Sequence, residues 1–145
     1  MRVKIYYAGD KPCVQEVAIA IAAEAKQNSE PLPPAYMPES LALAFIGTVA
    51  NGKKPDKRAL DFINMLDSKR ISAVALFCTS HNLDGSCLDV LREALKARGI
   101  KAMDETLICH GKGGLMGGKM PTDEDLANAK KFADKCLDMV TNHEL

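Results

Sequence analysis

The sequence predicts an α/β domain: a doubly wound, five-stranded parallel sheet with helices on both faces. Two observations carry this. Short, almost wholly apolar runs, VKIYY at 3–7, LALAFIG at 41–47 and AVALFC at 73–78, alternate with segments whose apolar residues recur at helical spacing. Strands this apolar are buried on both sides, which requires helical layers above and below a parallel sheet.

The elements follow in order. Val3 to Tyr7 is the first strand. After the turn Ala8-Gly9-Asp10-Lys11-Pro12, a helix begins near Cys13 and buries Val14, Val17, Ala18, Ile21, Ala22 and Ala25. Pro31, Pro33, Pro34 and Pro38 interrupt the pattern between Asn28 and Ser40, leaving a weak edge strand around Tyr36. Leu41 to Gly47 is a buried strand. A loop to Lys54 follows, then Pro55 in the first turn of a helix with Leu60, Ile63 and Leu66 inward. Ala73 to Cys78 is the next strand. Asp84 or Ser86 caps a helix carrying Leu88, Leu91 and Leu95 that stops at Gly99. The fifth strand spans about Ile100 to Cys109, and Thr122 caps a last helix burying Leu126, Ala129, Ala133, Cys136, Leu137 and Val140. With 145 residues and no internal repeat, residues 1–145 read as a single domain.

Composition excludes several function classes. Lys plus Arg and Asp plus Glu both number 19, so no net charge recruits nucleic acid or an anionic membrane. No apolar run approaches the roughly 20 residues that cross a bilayer, and MRVKIYY is no signal sequence, so a cytoplasmic location is expected. The five cysteines are odd in number and lack a CxxC, which suits reduced thiols rather than a disulfide framework. There is no G-x-S-x-G, HExxH or P-loop string, and no His/acid pair stands out.

The run IGTVANGKKPDKRALDFINMLD resembles the third strand, second flavin loop and following helix of the flavodoxin family. AVALFCTS resembles its fourth strand, KARGIKAMDETLICHGK its fifth and DEDLANAKKFA its last helix, so the resemblance covers most of residues 1–140 and fails chiefly in the Pro-rich segment. It implies strand order 2-1-3-4-5, with FMN beyond the strand carboxyl ends at the switch between strands one and three.

The family's phosphate loop reads roughly (S/T)-x-T-G-x-T, and Gly9, Asp10, Lys11, Pro12, Cys13 and Val14 fall on its six positions. None of the three hydroxyl positions keeps a Ser or Thr. Asp10 adds repulsion that Lys11 partly offsets, leaving main-chain N–H groups and the helix dipole to hold an anion. In the second loop Thr48, Val49, Ala50, Asn51 and Gly52 stand where the family often places an aromatic, and the chain has no Trp. Tyr6, Tyr7 and Tyr36 lie elsewhere. The third loop, Thr79 to Gly85, offers Thr79, Ser80, His81, Asn82, Leu83 and Gly85 to a flavin edge. Lys53, Lys54, Lys57 and Arg58 form either a solvated face or a docking patch for an acidic redox partner.

Cys78 and His81, with Cys109 and His110, end neighbouring strands and could together face a zinc ion. Cys13, in the first turn of a helix, has its thiolate favoured by the dipole. The Gly-rich loop 111–121 reads as a flap at the edge of the site, where Lys112 and Lys119 could meet an anion. His143 reads as solvated. The leading expectation is FMN-linked electron transfer to or from a protein partner. The alternatives are a flavin-free binding or accessory module, and a thiol- or metal-dependent site at Cys13, Cys78 and Cys109.

Overall fold

A computed structural model describes residues 1–111 and 120–144. In chain order its elements are β1 (Val3–Ala8), α1 (Pro12–Ala25), β2 (Ser29–Pro31), β3 (Leu41–Val49), α2 (Lys57–Asn64), β4 (Ile71–Ser80), α3 (Ser86–Ala97), β5 (Lys101–His110) and α4 (Asp123–Thr141). One five-stranded sheet has the order β2-β1-β3-β4-β5, and every pairing is parallel.

Because side chains alternate across a strand, each apolar run divides between two cores. Ile5, Leu43, Phe45, Ala75 and Phe77 face α1 and α4, where Phe45 meets Phe132 edge-on with ring centroids 5.7 Å apart. Tyr6, Ala44, Ile46, Leu76 and Cys78 face α2 and α3, where Tyr6 lies 4.9 Å from the ring of Phe62. At Gly47 the ring of Phe77 occupies the place of a side chain, since a Cβ there would lie 2.2 Å from its Cε2. Gly47→Ala is therefore expected to destabilise the protein by about 1 to 3 kcal/mol in a denaturant titration, as overpacked cores do.

The ends of the helices follow their residues. Thr122 accepts from Asp125 N and Asp125 accepts from Thr122 N, both at 3.0 Å, which makes a reciprocal capping box. Asp84 Oδ1 accepts from Ser86 N at 2.8 Å and so caps α3 from just outside it. Gly99, at φ +71°, ends that helix as expected.

Two sequence expectations are corrected. The edge strand lies at Ser29–Pro31, not around Tyr36, which is 86% exposed. Pro31 suits the end of an edge strand because it has no N–H to pair, and Leu32, whose N–H donates to Tyr7 O, buries its side chain directly after it. In α2 the buried positions are Ala59, Phe62 and Ile63, while Leu60 is only half-buried; the helix begins at Lys57, two residues later than Pro55 suggests. β5 carries an irregularity the pattern did not reveal: β4 advances from Val74 to Leu76 while β5 advances from Ala102 to Thr106. Among the described residues no helix is long and apolar enough to cross a membrane.

Candidate functional site

Adjacent strands β1 and β3 send their chains to opposite faces. β1 leads to α1 on one side of the sheet and β3 to α2 on the other, so their loops part at the carboxyl ends and leave a crevice. A cleft of about 300 Å³ lies there, lined by Lys11, Val49, Ala50, Asn51, Thr79, His81 and Gly111. Larger depressions exist elsewhere, of about 550 Å³ beside Met1, Ala42 and Val140 and about 480 Å³ between α3 and β5. Among the described residues, the crevice at the strand carboxyl ends combines the switch point with a buried polar atom that has no partner there.

The first wall is the turn after β1. Gly9 has φ +148°, and a Cβ there would lie 2.2 Å from Val49 Cγ2, so the turn and the end of β3 pack tightly. Asp10 does not stand as an uncompensated charge. Arg58, at the start of α2, places Nη2 3.1 Å from Asp10 Oδ1 and 2.9 Å from Asp56 Oδ2. The offsetting cation is thus Arg58 rather than Lys11, which sits at the N-cap of α1 without a side-chain cap bond. Pro12 takes the first helical position and leaves the amides of Cys13 and Val14 in the opening turn. The Cys13 side chain turns inward and donates to Met120 O at 3.3 Å. Burial pushes its thiol up, with Glu16 adding to this, so the expected dipole-favoured thiolate is not what the fold produces.

The second and third walls use most of their hydroxyls internally. Thr48 Oγ1 donates to Val49 O at 2.9 Å and accepts from Asp56 N at 2.8 Å, holding the loop to α2. Asn51 and Lys54 exchange backbone bonds around Gly52, whose φ of +62° closes the turn. Ser80 Oγ donates to Asn82 Oδ1 and accepts from Asp84 N, both at 3.0 Å. Gly85 serves packing, since a Cβ there would lie 2.4 Å from Ile108 Cδ1.

Thr79 differs. It is 1% exposed and lines the cleft, yet its Oγ1 has no partner; among the described residues only Tyr6 Oη shares that condition. An unpaired buried hydroxyl costs about 1 to 3 kcal/mol and calls for an explanation.

Of the residues expected at the site, Lys11, Val49, Asn51, Thr79 and His81 line the cleft. Gly9, Asp10, Cys13, Val14, Thr48, Gly52, Ser80 and Gly85 shape or brace its walls without lining it. Lys112 and Lys119 lie outside the described residues. Two of the four basic residues are paired: Lys57 contacts Asp61 at 2.9 Å and Arg58 holds Asp10 and Asp56.

The four residues considered for zinc separate. Cys78 lies in the α2/α3 core and Cys109 in the α1/α4 core, on opposite faces of the sheet, and among the described residues no group of three or more potential ligands forms. His110 instead meets Asp125, Nδ1 to Oδ2 at 2.9 Å, a His/acid pair that sequence reading missed. Its members are 15 residues apart, and the only hint was that one ends a strand while the other occupies a capping-box position. Burial raises the Asp125 carboxyl, but bonds from the Thr122 and His110 amides and the His110 ring outweigh it and hold the group below its ordinary value. His143, near the end of the chain, is exposed.

These features define an open, doubly wound α/β protein with a cleft at its switch point. No protein-family profile and no curated protein matches the sequence. Solved structures do resemble it. A flavodoxin from the domain Archaea aligns with a TM-score of 0.70 at 14% identity, covering 97% of this chain and 99% of that one. Rubredoxin oxygen:oxidoreductase from Desulfovibrio gigas gives 0.70 at 13% identity, covering 97% of this chain and 36% of that one. A Lactobacillus acidophilus flavoprotein in complex with FMN gives 0.56 at 15% identity, covering 74% of this chain and 91% of that one. The chain has the flavodoxin-like fold.

Proposed function

We propose that this protein binds FMN in the cleft between the β1, β3 and β4 loops and transfers electrons to or from a protein partner. The observation that carries the reading is Thr79: a hydroxyl buried at the fold's ligand position with no partner among the described residues. The residues present fit the group in two parts. Thr79 and the main chain of Val49 to Asn51 would meet the ring system. The amides of Cys13 and Val14, at a helix start flanked by Lys11, would take the phosphate through main chain and dipole. Arg58 removes the objection that Asp10 raises. When bound, FMN supplies the redox chemistry; the protein positions it and tunes its potential. Lys53 and Lys54, both exposed, would offer a partner its basic contact.

The flavin-free accessory module has its own support, because the first turn carries no hydroxyl and Val49 packs onto Gly9. Thr79→Val separates the readings. Removing an unpaired hydroxyl leaves the stability of the free protein unchanged or slightly higher. The same change lowers FMN affinity by about 2- to 10-fold, corresponding to roughly 0.5 to 1.5 kcal/mol for a lost hydrogen bond, and Thr79→Ser retains most of it. Equal FMN affinity of Thr79→Val and the parent protein would remove Thr79 as a flavin contact, and no uptake by the parent counts against the carrier.

A further inference from the structure

Arg58 is held more firmly than a surface cation needs. Its Nε donates to Asp56 Oδ1 at 3.0 Å and its Nη2 to Asp56 Oδ2 at 2.9 Å, a side-on fork that uses both carboxylate oxygens. Asp56 is itself fixed. It caps α2 by accepting from Arg58 N at 2.9 Å, its own amide donates to Thr48 Oγ1 at 2.8 Å, and its side chain is only 15% exposed. The side-chain bonds from Arg58 hold the Asp56 carboxyl below its ordinary value, so the fork stays ionised at neutral pH. The guanidinium is thus positioned from its Nε side, and its far end reaches the turn after β1, where Nη2 donates to Asp10 Oδ1 at 3.1 Å. Asp10 is the loose member of the three: its side chain is 89% exposed and its carboxylate makes this one bond among the described residues. Of the five N–H donors of a guanidinium, two serve Asp56 and one serves Asp10; the two on Nη1 have no partner among the described residues.

The unspent end of the fork therefore sits at the turn that leads into the α1 amides and carries Lys11, a residue of the cleft wall whose deeper part holds the unpaired Thr79 hydroxyl. From this arrangement we propose that Arg58 selects the phosphate of the cleft's ligand, and that the Asp10 carboxylate is an internal anion which a phosphate monoester displaces from the end of the fork. The inference rests on the FMN reading and deepens it, because it names what makes the cleft prefer the phosphorylated flavin to riboflavin. A planar, permanently charged fork matches two phosphate oxygens, where an ammonium would offer only a point charge. Nη1 and the Nη2 proton given to Asp10 form that pair of donors. Displacing Asp10 costs little, since an ion pair this exposed is weak and screened by salt, and the released carboxylate returns to water. Asp56 keeps the guanidinium in place throughout.

The test measures dissociation constants of FMN and of riboflavin, by quenching of flavin fluorescence, for the full chain and two variants. The parent is expected to bind FMN more tightly than riboflavin. Arg58→Gln lowers FMN affinity by about 5- to 30-fold and leaves riboflavin affinity unchanged, so the riboflavin value also reports that the variant has kept its fold. Asp10→Asn leaves the fork on Asp56 untouched and raises FMN affinity by about 2- to 10-fold, again without effect on riboflavin. An Arg58→Gln variant that keeps the parent's preference for FMN overturns the assignment while the FMN reading stands. Equal losses for the two flavins in that variant mark a purely structural role and overturn it as well. Unchanged or weaker FMN binding by Asp10→Asn overturns the displacement. Parent protein that takes up neither flavin removes the FMN reading itself, and the inference with it.

Discussion

Replacing Asp125 with alanine is expected to destabilise the protein by about 2 to 4 kcal/mol, from the loss of an N-terminal cap together with buried amides left unpaired. The carboxylate is 5% exposed and accepts from Thr122 N at 3.0 Å, His110 N at 3.1 Å and His110 Nδ1 at 2.9 Å. It therefore ties the end of β5 to the start of α4 across the segment between them. Asp125→Asn preserves shape but removes the charge, and is expected to fall between alanine and the parent in a urea titration. The pH dependence has a definite sign. Because the folded protein holds this group below its ordinary value, its ionisation contributes stability above the unfolded value near pH 4. That contribution is lost as pH falls through the lower folded value. Stability of Asp125→Asn should consequently fall less steeply than that of the parent below about pH 4. Equal acid slopes for the two proteins would remove Asp125 as a contributor.

Gly9→Ala is the second large effect, at about 2 to 4 kcal/mol from two sources. The residue sits at φ +148°, where an L side chain is strained, and its Cβ would lie 2.2 Å from Val49 Cγ2. The sources can be separated. Adding Val49→Ala to Gly9→Ala frees the space and returns the packing part, while the backbone part remains, so the double variant is less destabilised than the sum of the singles. Full additivity would mean that Val49 does not press on the turn. Since Val49 also lines the cleft, the single change Val49→Ala widens it, which makes it the variant to compare for flavin uptake.

Local rules made the fold legible. VKIYY, LALAFIG and AVALFC announce buried parallel strands by lacking alternation. Thr122 and Gly99 mark helix ends with chemistry that depends on a few neighbouring residues. The Pro-rich segment was misread because its edge strand is only Ser29–Pro31, too short to show a period, and Tyr36 looks like a strand residue while lying exposed.

The site was less legible, because its decisive pairings are distant in sequence. Asp10 reads as repulsive until Arg58, 48 residues away, is seen to reach it. Thr48 and Thr79 look equivalent in sequence, yet the first spends its hydroxyl on Val49 and Asp56 and the second on nothing among the described residues. Cys78 and Cys109 end neighbouring strands but are offset in register, Cys78 facing Ile108 and Thr79 facing Cys109, which sends the two thiols to opposite cores. One-residue register differences of this kind are invisible to a pattern count.

On the proposed reading, main-chain amides, the α1 dipole and Thr79 suffice to hold FMN without a hydroxyl-bearing phosphate loop. Titrating FMN into the purified protein tests it most directly. Saturable uptake with a shifted flavin absorption spectrum is the predicted result, and a free-flavin spectrum persisting at tens of micromolar FMN would contradict it.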